Sequence, residues 1–194
     1  MTAPAKQRLV ETALTLFHRN GFHATGIDRI LAEAGVSKMT LYKHFKSKDD
    51  LILAVLDLRD RRFRQWLNDR TLDFSDDPKA RLLAVFDALA EWFDDPGFHG
   101  CLFINAAAEF GLPTDRIHQS AAHHKKLVLE WLTEITAQAG LDDPPAMAWR
   151  LMLIMEGAIV VRQAACDGQA AHKARELAEI LLKGHHVPLA ETRR

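Results

Sequence analysis

The amino-acid sequence predicts an all-α protein of about nine helices, in which a three-helix head of helix-turn-helix type precedes a larger helical body. Three observations lead to this class. Apolar residues recur at three- and four-residue intervals along the 194-residue chain, the spacing of amphipathic helices. No run of alternating polar and apolar residues bounded by turn signals suggests a sheet. Between Thr25 and Lys48, two short helical stretches flank Ala34-Gly35-Val36-Ser37, a sequence suited to a tight turn.

The first helix carries Leu9, Val10, Ala13, Leu14, Leu16 and Phe17 on one face, and Gly21 is suited to the position that ends it. Thr25 with Asp28, and Ser47 with Asp50, have the spacing of a helix cap followed three residues later by an acid, and Ser37 is a cap between them. These signals place the second helix at about Ile27–Ala34, the third at about Lys38–Phe45 and the fourth from Lys48 to near Asn68. Asp77-Pro78 opens a fifth, which Asp94-Asp95-Pro96-Gly97 stops. A short helix falls within Leu102–Phe110, and a long one spans about Asp115–Ala139 before Gly140. Asp143-Pro144 starts the eighth, running to about Cys166 and closed by Asp167-Gly168. The ninth covers about Ala171–Lys183 and ends at Gly184. The head is read as residues 1–48 and the body as residues 49–194.

Hydrophobic residues make up 48% of the chain and charged residues 26%, which excludes a disordered tail, a collagen-like chain and a disulfide-stapled miniprotein. Cys101 and Cys166 form no C-x-x-C pair, so a reduced, cytoplasmic protein is expected. The N-terminal residues Met1–Gln7 lack the apolar stretch of a signal peptide. The most apolar run, Leu151–Val161, contains Glu156 and is shorter than the roughly 20 residues of a membrane-spanning helix, so no membrane partner is expected. Net charge is −1, but it is unevenly distributed: residues 1–48 hold eight basic and three acidic side chains, and the remainder holds 17 and 23. A basic head on an acidic body suggests that the head alone meets a polyanion.

Within Thr25–Lys48, Gly35 supplies the backbone freedom of the turn and Val36 anchors it to the core. Ile27, Ile30, Leu31, Leu41 and Phe45 form the buried sides of the two helices. This is the plan in which the second helix of the motif enters the DNA major groove. Its remaining residues, Lys38, Met39, Thr40, Tyr42, Lys43 and His44, provide cations and hydroxyls for phosphates and side chains that reach base edges.

The residues Gly21-Phe22, Thr25-Gly26-Ile27, Ile30 to Ser37 and Thr40 to Lys48 together resemble the TetR/AcrR family of bacterial transcriptional repressors. The stretch Tyr42-x-His44-Phe45-x-x-Lys48 is the most specific part. Fainter similarity continues through Gly100–Phe110 and Glu156-Gly157-Ala158. The resemblance implies a homodimer on a palindromic double-stranded DNA operator. It also implies phosphate contacts from Tyr42, His44 and Lys48, with Thr25 capping the second helix near the backbone. Lys38, Met39, Thr40 and Lys43 would read bases or line the groove, with Arg29 contributing, and Ser37, the cap of that helix, belongs to the same DNA-binding set. Two positions depart from the family pattern: Gly26 stands where Thr or Ser is common, and Asp28 stands where a basic or polar residue is common.

By the same resemblance the body senses a ligand and dimerises. Leu151, Ile154 and Ala158 of the eighth helix and Leu177, Ile180 and Leu181 of the ninth are expected at the interface, where two amphipathic helices pair with their copies in a four-helix bundle. Phe86, Trp92, Phe93, Phe103, Asn105, Glu109, Phe110, Trp131, Met152 and Met155 are the candidates for a pocket that takes a small apolar effector. Plain core packing is the alternative for each of them. Ten histidines include the pairs His123-His124 and His185-His186, but no two share a helix face at metal-ligand spacing, so no metal is expected. No nucleophile–base pair, phosphate-binding loop or paired carboxylate stands out, so neither catalytic residues nor a cofactor is expected. The function expected is a transcriptional repressor released by a small molecule. The alternatives are a DNA-binding dimer without a ligand and an all-α enzyme.

Overall fold

The computed structural model describes residues 4–184, which places His185 and His186 outside the described residues. Within them lie nine helices: α1 Ala5–Asn20, α2 Ile27–Ala34, α3 Lys38–His44, α4 Lys48–Phe74, α5 Pro78–Asp94, α6 Leu102–Glu109, α7 Arg116–Gln138, α8 Pro144–Ala165 and α9 Ala170–Lys183. No strand occurs among the described residues.

Several helix starts follow the local chemistry read from the sequence. Ser37 Oγ accepts from Thr40 N at 3.2 Å, Ser47 Oγ from Asp50 N at 3.1 Å, Asp77 from Ala80 N at 2.8 Å and Asp143 from Ala146 N at 3.1 Å. Each satisfies a backbone donor that has no partner within its helix. Thr25 is different. It is fully buried, and its hydroxyl donates to Gly21 O at 2.7 Å and Leu16 O at 3.4 Å, so Gly26 takes the cap position of α2. Thr25 therefore binds the preceding turn to the end of α1 instead of capping α2.

Two helix ends also differ from expectation. α4 continues six residues past Asn68, to Phe74. Thr71 is buried against Arg81, whose Nη2 donates to it at 3.4 Å, and Arg70 donates twice to Glu91 at 2.6 Å. These contacts hold the last turns of α4, past the end expected near Asn68. At the end of α8 the left-handed residue is Cys166 (φ 54°, ψ 25°), not Gly168.

The chain divides into two compact units. One comprises residues 4–69 and 99–131, and the other residues 70–98 and 132–184. In the first unit α1, α2 and α3 pack on one another, and the head shares its unit with α6 and most of α4 and α7. In the second unit α9 packs on α5 and α8. α8, at 22 residues, is by length and composition long and apolar enough to cross a membrane, which the shorter run counted from the sequence was not. Met147, Leu151, Met155 and Ile159 on one of its faces are buried within the second unit.

Candidate nucleic-acid interface

The turn between α2 and α3 explains why α3 projects. Gly35 adopts the left-handed conformation (φ 61°, ψ 41°). Its N–H donates to Ala32 O, and that of Val36 donates to Leu31 O at 3.2 Å. This pattern of bonds ends a helix and reverses the chain with its carbonyls satisfied. Leu31, Val36, Leu41 and Phe45 are buried, which fixes the angle between the helices. The opposite side of α3 is left outside. Lys38, Met39, Tyr42, Lys43 and His44 are exposed, Met39 at 83% and Tyr42 at 51%, and Thr40 is half-exposed.

Charges around this face are partly paired. Lys38 Nζ lies 3.7 Å from Asp28, and Arg29 Nε donates to Glu33 at 3.0 Å. Asp28 thus acts as a local counter-charge for the first residue of α3. Lys43, Lys46 and Lys48 enter no ion pair among the described residues. Lys48 opens α4, although Asp49 and Asp50 share its first turn, and Arg116 reaches Asp50 at 3.4 Å. A short helix with an exposed apolar tip, one aromatic hydroxyl and unpaired lysines beside it fits groove insertion flanked by phosphate contacts.

Residues 9–55 match the bacterial regulatory proteins of the tetR family, and residues 78–178 match the tetracyclin repressor-like C-terminal domain. The chain belongs to the TetR family. It is similar in structure to SCO4454, a TetR-family transcriptional regulator from Streptomyces coelicolor, with a TM-score of 0.86, 34% identity and coverage of 94% of this chain and 96% of that one. It is 31% identical to the transcriptional regulator AcuR of Cereibacter sphaeroides, over 80% of this chain and 75% of AcuR. It is 25% identical to the HTH-type transcriptional regulator YjdC of Escherichia coli, over 88% and 91% of the two chains. The protein is a DNA-binding transcriptional regulator and not an enzyme.

The effector-pocket candidates of this TetR-family chain fall in both units. In the first, the Phe103 ring stacks on His124 with centroids 3.6 Å apart, and Trp131 Nε1 donates to Asn68 at 3.2 Å. Asn105 is half-exposed on α6. Two candidates take a different role. Glu109 accepts from Phe22 N at 2.9 Å, His23 N at 2.7 Å and His23 Nδ1 at 2.8 Å, and Phe110 stacks on His23. Both serve the α1–α2 turn, because the carboxylate is the acceptor that two turn N–H groups converge on. Burial pushes the Glu109 carboxyl up, but the bonds from His23 and Phe22 outweigh it and hold it below the ordinary range. In the second unit Phe86, Phe93, Met152 and Met155 are buried in side-chain packing, and the half-exposed Trp92 packs edge-on against Phe98.

The expected interface set also changes. Leu151 and Ala158 are buried inside the second unit and present no surface. Ile154 and Leu181 are half-exposed. The outward apolar face of α8 consists of Trp149, Leu153 (66% exposed), Val160 and Val161, and that of α9 of Leu177 and Ile180 (67% exposed). α8 is apolar around most of its circumference, so its periodicity did not separate the face used within the chain from the one left outside.

Sequence reasoning missed a polar pair between a buried imidazole and a half-buried carboxylate. His124 Nδ1 lies 2.7 Å from Asp60 Oδ1, and Arg64 donates to both Asp60 oxygens at 2.9 and 2.7 Å. Burial raises the Asp60 carboxyl, yet the hydrogen bonds and charges of His124 and Arg64 prevail and hold it far below the usual carboxylate range. A signal was present: His124 falls in the buried stripe Ile117, Ala121, Val128, and Asp60 between Leu56 and Phe63. Near this pair Lys125 Nζ lies 3.5 Å from Cys101 Sγ, so a lysine stands beside this buried thiol.

Proposed function

We propose that the regulator is a cytoplasmic homodimeric repressor. Residues 1–48 of each copy would bind half of a palindromic operator, and residues 49–194 would dimerise and take a small, largely apolar effector that releases the DNA. DNA and effector then weaken each other reciprocally, as linkage requires. In this reading Met39, Thr40 and Lys43 face bases, Tyr42, His44 and Lys48 hold phosphates, and Ser37 fixes the start of α3 through its bond to Thr40 N. Arg29 and Lys38 reach the DNA as ion-paired cations. Thr25 supports the head from inside.

The observation that supports DNA binding most directly is the bare outer face of α3, with Met39 83% exposed. Dimerisation draws support from the exposed apolar residues of α8 and α9, which suit a two-fold bundle of four helices. The experiment is selection of bound sequences from a randomised duplex library, followed by light scattering of the free protein. An inverted repeat and twice the chain mass are expected. Replacing Leu153 and Ile180 by Glu should give monomers that no longer select a repeat, and dimers persisting in this variant would place the interface elsewhere.

A second reading, a DNA-binding dimer without a small-molecule ligand, is favoured by one observation. Phe86, Phe93, Phe103, Met152 and Met155 are all buried in packing. A thermal-shift screen against apolar small molecules separates the two readings, because a ligand that raises the melting temperature and lowers operator affinity supports the first.

A further inference from the structure

We infer that Glu109 is a positioning residue for DNA binding: from α6 its carboxylate clamps the α1–α2 turn and so fixes the helix-turn-helix to α6. The inference rests on the reading of a dimer on a palindromic operator.

The turn at residues 21–24 has two backbone N–H groups that neither α1 nor α2 satisfies. Phe22 N donates to one oxygen of Glu109 at 2.9 Å, and His23 N donates to the other at 2.7 Å. The His23 ring adds a third contact at 2.8 Å. Hydrogen bonds to an ionised carboxylate are the stronger class, and use of both oxygens fixes orientation as well as distance. The approach is close enough that a side chain at residue 21 would push on the carboxylate. Gly21 sits at φ +86°, and a Cβ there would lie 3.0 Å from Glu109 Oε1. Phe110, next in sequence, adds ring contacts to Phe22 at 5.9 Å and His23 at 4.8 Å.

The other end of α6 is fastened too. Gly100 O, just before the helix, accepts from His18 Nε2 at 2.9 Å on the last turn of α1. An eight-residue helix is about 12 Å long. One attachment would act as a hinge; two attachments separated by that length resist rotation. From the turn the linkage continues into the head, because Thr25 ties Gly21 O to the start of α2, and the buried residues of α2 and α3 move together. The head therefore cannot turn relative to α6 without breaking bonds to Glu109. Residues 102–109 lie within the segment that matches the family's C-terminal domain. A residue from that domain thus sets the attitude of the DNA-binding helices.

The test uses the full chain and an operator selected with the wild type. Glu109→Ala removes all three bonds, Glu109→Gln leaves an acceptor for one N–H, and His23→Ala removes only the ring contact. Affinity is measured on the operator and on copies whose half-sites are moved by one base pair, which rotates one half-site by about 35° against the other. Hydrogen exchange is followed at the amides of Phe22 and His23. The wild type should lose at least about tenfold on the shifted operators, and Glu109→Ala about tenfold on the parent operator but less than about threefold between spacings. Glu109→Gln should fall between. Exchange at Phe22 and His23 should speed up while α3 stays protected. A purely stabilising role would lower affinity on every operator and leave spacing discrimination intact. Wild-type discrimination retained in Glu109→Ala and Glu109→Gln would overturn the clamp, as would unchanged exchange at the two amides. A wild type indifferent to spacing would instead overturn the palindromic-dimer reading, and the exchange measurement would then decide the clamp alone. If Glu109→Ala fails to fold, Glu109→Gln and His23→Ala carry the same comparison.

Discussion

The ion pairs around α3 make the salt dependence of operator binding a quantitative test of the interface. Five cations lie on or beside the helix-turn-helix: Arg29, Lys38, Lys43, Lys46 and Lys48. Lys38 stands 3.7 Å from Asp28, and Arg29 is bonded to Glu33. Exposed pairs of this kind are worth about 0–1 kcal/mol, so a phosphate can attract the cation away. The acid, however, remains beside the DNA, and the pair enters its field as a neutral unit whichever partner the cation takes. Three lysines per head then displace counterions, six in a dimer, and the slope of log affinity against log salt should be about −5. Between about 50 and 200 mM salt the affinity should drop by roughly 1,000-fold. If all five cations counted, the slope would be about −9. Asp28→Ala unmasks Lys38 and should steepen the slope to about −7, while raising affinity at low salt. Fluorescence anisotropy titrations at four or five salt concentrations measure both proteins. A wild-type slope shallower than about −2 would mean that the basic head is not the DNA-binding surface. An Asp28→Ala slope equal to the wild type's would refute the argument that the pair acts as a neutral unit.

Three further outcomes are expected. Tyr42→Phe should weaken binding to all sequences alike, by roughly thirtyfold for the two hydroxyl contacts a dimer loses, whereas Met39→Ala should change which bases are preferred; a randomised operator library reads both, and a preference shift in Tyr42→Phe with none in Met39→Ala would reverse the two roles. Asp60→Asn should cost about 1–3 kcal/mol, because it leaves buried His124 and half-exposed Arg64 without their carboxylate, and should lower the melting temperature by roughly 2–12 °C. The Asp60 carboxyl is held below its unfolded value, so its stabilisation is present above about pH 4 and is lost as pH falls further. Melting curves from pH 7 downward should therefore converge for wild type and Asp60→Asn, and a constant gap would contradict the pairing. Cys166→Gly should raise stability by about 1 kcal/mol, or roughly 2–4 °C, because the exposed residue pays a left-handed strain that glycine avoids; a lower melting temperature would count against it.

Helices were legible in the sequence because their signals are local. Ser37, Ser47, Asp77 and Asp143 each act on a donor three residues away, so reading them needs no tertiary information. The same holds for the exposed side of α3, whose apolar residues Leu41 and Phe45 fix which side faces outward. Where a residue's partner was distant, local reading failed. Thr25 is of a type that caps helices, but its hydroxyl donates to Gly21 O at 2.7 Å, and Gly26 takes the cap position of α2. The end of α4 is held by Glu91 and Arg81, which follow it in sequence.

The charged residues make the limit of pattern reading explicit. A carboxylate on an otherwise apolar helix has three outcomes: it faces solvent, it binds a ligand, or it finds donors inside the fold. Periodicity assigns its face but not its partner. Glu109 follows Asn105 and three alanines on α6, which made it a plausible polar group in an apolar pocket. Its donors are backbone N–H groups 86 and 87 residues earlier, and backbone groups leave no trace in side-chain patterns. The trace was instead at Gly21, where a glycine follows α1 at φ +86° and a Cβ would crowd the carboxylate at 3.0 Å. Asp60 and His124 differ because each sits on a buried stripe, and a charge there demands a counter-charge from another helix. Two such positions on α4 and α7 hold a carboxylate and an imidazole that can donate to it, and that match is legible in the sequence. A polar residue in an apolar stripe is thus best treated as half of a pair whose other half is to be sought, first among the other stripes and then at the glycines.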